Sequence, residues 1–235
     1  MARAAVHQRR AGYRLIVIPI LRPRSEGPYH VRPFGLLFSY GKVLRKLRMT
    51  NRIGLLFGSF NPVHVGHLIL AEYFATRTDL SEVWFVVSPH SPFKAAADLL
   101  PDAQRLHMVQ LAIAANPHLR AEDIEFGLPR PSYTIATLDA LRQRHPSHEF
   151  VLLMGADNVS GLPRWQESAR LLAEVDIYVY PRPGVSLPSL DEFPRVRLMA
   201  APLLNISATY IRESLRTGQS IRYLVPAVVE AVLLK

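Results

Sequence analysis

The sequence predicts an α/β protein whose single domain contains a Rossmann-like, doubly wound parallel sheet. From residue 52 onward, short apolar runs alternate with segments of helical periodicity, which is typical of βα units. The length of 235 residues suffices for one sizeable core, and 49% hydrophobic against 20% charged residues favours a packed globular chain. Ligands of such a fold are expected beyond the carboxyl ends of the strands.

Each element is assigned from its own pattern, because strands buried on both faces appear as continuous apolar runs and helices repeat every 3.6 residues. The predicted strands are Ile53–Phe57, Val83–Ser88, Leu119–Phe126, Phe150–Met154, Ile177–Tyr180 and Val196–Ala200. The predicted helices are His67–Thr76, Gln104–Ala115, Tyr133–Arg144, Glu167–Ala173, Tyr210–Thr217 and Pro226–Leu234. Leu106, Val109 and Ile113 form one apolar stripe, and Gly218 lies where a helix C-cap is expected.

The net charge of +9 is concentrated in the first fifty residues, which hold eleven basic residues and the single acid Glu26. Residues 51–235 carry a net charge of −1. We therefore expect a basic extension over residues 1–50 and a separate folded domain over residues 51–235. The extension is interpreted either as an organelle transit peptide or as a segment preceding a native start at Met49. Its apolar run, Tyr13–Leu21, is too short for a membrane span.

The composition also excludes several classes of function. A nearly neutral domain gives no support to a nucleic-acid-binding face, and neither a nucleic acid nor a membrane is expected as a partner. The absence of cysteine excludes disulfides, thiolate zinc sites and a cysteine nucleophile. It fits a reducing compartment, and we expect a cytoplasmic protein. Association into a homo-oligomer is left open.

The first motif, Gly58-Ser59-Phe60-Asn61-Pro62-Val63-His64-Val65-Gly66-His67, directly follows the first predicted strand and opens a helix. Backbone N–H groups and the helix dipole favour phosphate at such a position, and the two glycines allow a ligand to approach closely. His64 and His67 share one face and can donate hydrogen bonds to phosphate oxygens. An isolated pair of histidines is more often a surface or metal-binding feature. A zinc site is disfavoured because no third ligand is close in sequence.

The second motif, Asn205-Ile206-Ser207-Ala208-Thr209-Tyr210-Ile211-Arg212, leads into another helix. Ser207 or Thr209 can cap free N–H groups, and those groups together with Arg212 can hold a triphosphate. Taken alone, the segment is better explained as an ordinary N-cap beside a surface arginine.

Three further segments contain candidate substrate-binding residues. Lys94 follows the second strand in a proline-rich loop and is expected near the phosphates. Tyr133 and Thr134 lie at a helix start that can hold a carboxylate, and Trp165 offers a flat face to an aromatic ring. Asp157 can accept from ribose hydroxyls. The alternatives are a plain proline loop, core aromatic side chains and a helix cap.

From about Arg52 to its C-terminus, the sequence resembles the nucleotidyltransferases that carry an HxGH motif, and more narrowly the bacterial nicotinate-nucleotide adenylyltransferases. The family's first motif normally has two glycines where this chain has only Gly58, and Ala208 replaces a serine in the second. Phe93 and a shortened spacing alter the proline-rich loop. The resemblance assigns catalysis to His64, His67 and Arg212. It assigns ATP and phosphate binding to Gly58, Ser59, Phe60, Gly66, Lys94, Ser207 and Thr209, and mononucleotide binding to Tyr133, Thr134, Asp157 and Trp165.

The resemblance implies transfer of AMP from ATP to nicotinate mononucleotide, giving nicotinate adenine dinucleotide and pyrophosphate. Mg²⁺ is expected to enter with ATP, without a dedicated protein metal site. The alternatives keep the chemistry on nicotinamide mononucleotide, phosphopantetheine or a cytidylyl acceptor. Two further alternatives are not enzymes: a nucleotide-binding regulator that has lost catalysis, and a nucleic-acid-binding protein that uses the basic extension.

Overall fold

The computed structural model describes residues 51–89, 99–186 and 190–234. The expected extension over residues 1–50 and the candidate Lys94 lie outside the described residues. The strands are β1 (Arg52–Gly58), β2 (Glu82–Val87), β3 (Leu119–Glu122), β4 (Glu149–Gly155), β5 (Asp176–Tyr180) and β6 (Val196–Leu198). The α-helices are α1 (Val65–Arg77), α2 (Asp102–Ile113), α3 (Thr134–Arg144), α4 (Ser168–Glu174), α5 (Ala208–Arg216) and α6 (Ala227–Leu233).

The strands form one parallel sheet in the order β3-β2-β1-β4-β5-β6. Within it, Leu55 of β1 registers with Trp84 of β2 on one side and with Leu152 of β4 on the other. The chain first winds outward from β1 through β2 to β3, and then returns to β4 and winds outward in the other direction. The point of reversal therefore lies at the carboxyl ends of β1 and β4, where ligands of doubly wound sheets bind. The predicted fold class is confirmed.

Two apolar cores cover the two faces of this sheet, because each central strand buries residues on both sides. On β1, Leu56 packs with α1 and α2, whereas Leu55 packs with α3 on the opposite face. The first core also contains Ile211 of α5 and Val229 of α6. Consequently the two histidines and Arg212 belong to elements on one face, and Tyr133 and Thr134 to an element on the other.

Arg52 joins several elements at the amino-terminal edge of the sheet. Its guanidinium pairs with Asp79, with Asp176 and, at 3.0 Å, with Glu149, and its side chain is only 11% exposed. It also donates to the Tyr178 hydroxyl at 3.2 Å. This buried arginine stabilises the edge that lies opposite the carboxyl ends of the strands.

The helix patterns predicted from the sequence are confirmed in α2 and α5. Val109 and Ile113 are buried, and Leu106 packs against the same core. At the end of α5, Gly218 has a φ of 69°, and its N–H donates to the Leu215 carbonyl at 3.1 Å. The next N–H, of Gln219, donates to Ser214 at 2.7 Å, which completes a Schellman cap.

Three segments differ from the sequence prediction. The predicted strand Leu119–Phe126 ends at Glu122, where its pairing with β2 ends, and residues Ile124–Gly127 form a 3-10 helix. The predicted strand Val196–Ala200 contains only three strand residues, because just these pair with β5. A second 3-10 helix, Ala156–Arg164, was not predicted. None of the helices in the described ranges combines the length and apolar character needed to cross a bilayer.

Candidate active site

The turn after β1 forms the floor of the candidate site. Phe60 has a φ of 45° and a buried ring, and a Cβ on Gly58 would lie 3.0 Å from two atoms of that ring. A side chain at residue 58 would therefore require the Phe60 ring to shift by a few tenths of an ångström. The Phe60 ring also meets the His67 ring edge-on, with 5.0 Å between the centroids. The proposed phosphate turn and the second histidine are thus packed as one unit.

His64 and His67 stack on each other at the start of α1. Their ring centroids lie 3.7 Å apart, with 27° between the planes. The His64 backbone N–H donates to Nδ1 of His67 at 3.3 Å, so a neutral His67 ring carries its proton on Nε2. A Cβ on Gly66 would lie 3.0 Å from Nδ1 of His64, so glycine leaves room for the stacked pair. The sequence predicted that these side chains share one face, and the structure brings them into contact.

The environment of His64 disfavours a positive charge. Its side chain is buried, and burial together with the nearby Arg182 guanidinium lowers the pKa of His64 to about 4. In the absence of ligand the ring is therefore neutral at pH 7 and donates a single N–H. A bound phosphate would favour the protonated form, which donates two.

Arg182 is a site residue that sequence reasoning missed. With His64, His67 and Ile206 it lines a small pocket between α1 and the segment leading into α5. Its guanidinium carbon lies 5.4 Å from the centroid of the Tyr180 ring, at the end of β5. The sequence did indicate a basic residue two positions beyond the end of a strand. Many surface arginines occupy such positions, so this pattern alone does not identify a site residue.

Asp157 is joined to Arg182 in the structure. Its Oδ1 lies 3.4 Å from Nε of Arg182, and the Asp157 side chain is 48% exposed. A Cβ on Gly155 would lie 2.3 Å from this oxygen and 2.8 Å from Nε of Arg182, so the glycine that ends β4 makes space for the ion pair. The pair joins the carboxyl ends of β4 and β5.

The start of α5 is connected to the turn after β1. Ser207 is the N-cap, and its hydroxyl accepts a hydrogen bond from the Tyr210 N–H at 3.1 Å. One terminal nitrogen of Arg212 donates to the Asn61 carbonyl at 2.9 Å, and the other lies 3.5 Å from the Thr209 hydroxyl. The two motifs, which are 151 residues apart at this contact, therefore form one cluster.

Three of the candidate mononucleotide residues, Tyr133, Thr134 and Trp165, belong to segments on the opposite face of the sheet from the histidines. Tyr133 is the N-cap residue of α3 and is 39% exposed, while Thr134 is its first helical residue. Trp165 follows the 3-10 helix and is partly buried against the second core. Tyr133 is therefore not a core aromatic, whereas Trp165 combines packing with an accessible portion. Within the described ranges, no three or more His, Cys, Asp or Glu side chains are grouped to hold a metal ion.

The sheet order is that of a nucleotide-binding, doubly wound α/β protein, and the two motifs at its point of reversal narrow it to the nucleotidyltransferase class. The cytidylyltransferase-like family model matches residues 55–214. Proteins described as probable nicotinate-nucleotide adenylyltransferases are 52% identical in Cytophaga hutchinsonii and 50% identical in Bacteroides fragilis. These matches cover 78% and 77% of this chain, and 95% and 91% of the relatives. The chain belongs to the nicotinate-nucleotide adenylyltransferase family.

A solved structure shows the same fold at much lower identity. It is a Plasmodium falciparum nicotinic acid mononucleotide adenylyltransferase complexed with NaAD, with a TM-score of 0.66 and 19% identity. The match covers 78% of this chain and 94% of that one. The family and the enzyme class predicted from the motifs are confirmed.

Proposed function

We propose that this enzyme transfers AMP from ATP to nicotinate mononucleotide, giving nicotinate adenine dinucleotide and pyrophosphate. The observation that carries the proposal is the cluster in which Arg212 of α5 holds the turn below His64 and His67. The turn after β1 connects two helix starts, two imidazoles and a guanidinium, and groups of this kind support a reaction between two phosphate-bearing molecules.

The reaction needs positioning and charge neutralisation more than covalent catalysis. A phosphate oxygen of the mononucleotide attacks the α-phosphorus of ATP in line, and pyrophosphate leaves on the opposite side. His64 and His67 would donate to the phosphate oxygens, and a proton gained by His64 would stabilise the charge that develops there. Ser59, Phe60, Ser207 and Thr209 would contribute neighbouring N–H and hydroxyl groups to the phosphates. Magnesium would enter with ATP, as part of the substrate.

Arg212 and Arg182 would approach the reacting groups from two sides. Arg212, one turn into α5, suits the triphosphate that becomes pyrophosphate. Arg182 lines the pocket beside His64 and suits the phosphate of the attacking mononucleotide. Oδ1 of Asp157 lies 3.4 Å from Nε of Arg182 and the side chain is 48% exposed, so its carboxylate would remain able to accept a hydrogen bond from a ribose hydroxyl.

The pyridine end of the substrate would lie toward α3 and Trp165. The first N–H groups of α3 have no partners within the helix and favour the carboxylate of nicotinate. Trp165 would stack on the ring. The enzyme would act in the cytoplasm, because a chain without cysteine suits a reducing compartment.

The test measures dinucleotide and pyrophosphate formation from ATP·Mg and each acceptor in turn: nicotinate mononucleotide, nicotinamide mononucleotide and phosphopantetheine. We expect the highest kcat/KM with nicotinate mononucleotide. A clear preference for another acceptor would overturn the substrate assignment. Binding of ATP without turnover on any acceptor would instead indicate a nucleotide-binding regulator.

A further inference from the structure

Arg105 of α2 is completely buried, and each of its five N–H donors has an acceptor. Nε donates to the Leu100 carbonyl at 2.9 Å, and one terminal nitrogen donates to the carbonyls of Ser59 and, at 2.9 Å, of Ser88. The other donates to the Pro89 carbonyl at 3.3 Å and to Asp102 Oδ1 at 2.6 Å. A buried guanidinium is tolerated only with partners of this kind.

Four of these acceptors are backbone carbonyls from three segments at the carboxyl edge of the sheet. Ser59 follows β1, Ser88 and Pro89 follow β2, and Leu100 precedes α2. Arg105 thus fixes the relative positions of the loops that surround the candidate phosphate site. Asp102 extends the connection, because its second oxygen accepts from Arg130 at 2.9 Å, in the loop before α3.

The contact with Ser59 determines the direction of a neighbouring N–H. In a planar trans peptide, the carbonyl of one residue and the N–H of the next point in opposite directions. Because the Ser59 carbonyl points to Arg105, the Phe60 N–H points away from it. No acceptor for this N–H is present among the described residues. Phe60 has a positive φ, in a backbone region that is costly for a side chain with Cβ and persists when surrounding contacts fix it.

We infer, on the basis of the proposed function, that Arg105 is a positioning residue for the adenylyl transfer. It holds the Ser59 carbonyl inward, and so directs the Phe60 N–H toward the phosphates of the bound nucleotide. Loss of the guanidinium would let this peptide rotate, and a donor that acts on the transferring phosphate would be lost. The effect is expected mainly on kcat, because such donors strengthen as charge develops.

The kinetic test compares Arg105→Gln and Arg105→Lys with Arg52→Gln. Arg52 is the matched control, because it is also a buried, multiply paired arginine but lies at the opposite edge of the sheet. We expect Arg105→Gln to lower kcat at least about tenfold while the Kd of nicotinate mononucleotide, measured by calorimetry, changes less than about threefold. Lysine, with three donors, should restore part of the loss. Arg52→Gln should lower Tm without lowering kcat more than about twofold.

Equal kcat values in Arg105→Gln and Arg52→Gln, at similar losses of Tm, would reduce Arg105 to a structural role and overturn the inference. The same conclusion would follow if Arg105→Lys gave no recovery. If Arg105→Gln does not fold, the lysine variant and the spectroscopic measurement below decide.

The spectroscopic test uses a feature of the sequence: Ser59–Phe60 is its only Ser–Phe pair. Full-length protein labelled with ¹³C at serine carbonyls and ¹⁵N at phenylalanine therefore gives one carbonyl–amide correlation, which reports on this peptide alone. We expect ATP·Mg without acceptor to move the Phe60 amide proton downfield in wild type and in Arg52→Gln, and to move it less in Arg105→Lys. An unchanged signal in wild type under saturating ATP would overturn the inference. A shift that Arg105→Lys weakens, in a protein that forms no dinucleotide, would contradict the proposed function while still showing that Arg105 directs the Phe60 N–H toward the bound nucleotide.

Discussion

At the scale of single residues, the surroundings of His64 determine the protonation state of its imidazole. Burial and the neighbouring Arg182 hold the pKa of His64 at about 4, so the free protein presents a neutral imidazole. A phosphate that binds against His64 and Arg182 supplies negative charge and should raise this pKa. His64 can then become protonated when phosphate is bound. Its positive charge would stabilise the negative charge that develops on the phosphate during the transfer.

Replacing either histidine by alanine should reduce turnover at least about a hundredfold, since each change removes a donor to the reacting phosphates. Steady-state kinetics of His64→Ala and His67→Ala would measure this, with circular dichroism to verify folding. His118→Ala, at a distant exposed position, is the control and should retain wild-type rates. Near-normal turnover in both folded variants would remove the pair from the mechanism.

The low pKa of His64 also predicts a dependence of stability on pH. An unfolded histidine takes up a proton near pH 6.5, whereas His64 in the fold resists protonation down to about pH 4. The contribution of the neutral His64 to the free energy of unfolding is therefore fully present above about pH 6.5, and it is lost as the pH falls toward about 4. Between pH 7.5 and 5.0 the free energy of unfolding should fall by about 2 kcal/mol more in wild type than in His64→Gln. Urea titrations at the two pH values measure this.

His118→Gln is the matched control for the pH experiment, because it removes an exposed histidine. It should keep the full wild-type dependence on pH. If His64→Gln and wild type lose equal stability between these pH values, His64 is not held in its neutral form by the fold.

At the scale of elements, helix starts provide most of the donors in the candidate site. The start of α5 is fixed by the Ser207 cap and is connected to the β1 turn through Arg212. On the other face, Thr137 fixes the first turn of α3, because its N–H donates to the Tyr133 carbonyl at 3.1 Å and its hydroxyl donates to Glu125 Oε1 at 2.8 Å. The N–H groups that would meet the pyridine substituent are therefore held in place before substrate binds.

The start of α3 predicts a preference for the acid substrate. A carboxylate gains charge-assisted hydrogen bonds from the N–H groups near Tyr133 and Thr134, whereas the NH₂ of a carboxamide would face other donors. Such a mismatch costs on the order of 2–3 kcal/mol, or roughly a hundredfold in kcat/KM. Steady-state kinetics with both mononucleotides at saturating ATP and magnesium measure the ratio.

Trp165→Ala provides the comparison for this preference. Stacking on the ring does not depend on the charge of its substituent, so both substrates should lose efficiency by similar factors and their ratio should persist. Equal efficiencies of the two mononucleotides in wild type would contradict the assignment of the acid pocket to α3, while leaving the chemistry at the histidines unaffected.

At the scale of the whole molecule, the order of the strands brings the site together. β1 lies between β2 and β4, so the phosphate turn meets loops from both halves of the sheet. The elements that carry the candidate residues all follow Asn51 in the chain. Among the described residues, the strands of the sheet and the members of both cores follow Asn51.

A chain that begins at Met49 should therefore fold and retain full activity. Thermal unfolding should remain cooperative, with a Tm close to that of the full chain, because both sequence motifs and the described strands and helices lie after Met49. Kinetics and thermal unfolding of the two chains, prepared in parallel, measure this. Insolubility or loss of cooperative unfolding in the shorter chain would show that residues 1–48 complete the core.

Local patterns in the sequence determined much of the fold and part of the site. Apolar runs and helical periodicity predicted the strands and helices, because both depend on neighbours within a few residues. Strand ends were less well predicted, as at Glu122, because a strand ends where its partner does. His64, His67 and Arg212 could be found because they belong to contiguous motifs whose neighbours form a strand, a turn and a helix start.

The tertiary structure alone decided which distant residues contact each other in the site and how those contacts change the pKa values of the site residues. Arg182 pairs with Asp157 across 25 positions, and Arg212 reaches Asn61 across 151, so neither contact has a local pattern. Arg105 looked like an ordinary helix residue until folding placed carbonyls from three loops around it. The motifs identified groups suited to binding phosphate, whereas their pKa values and directions depend on burial and on residues that only folding brings close.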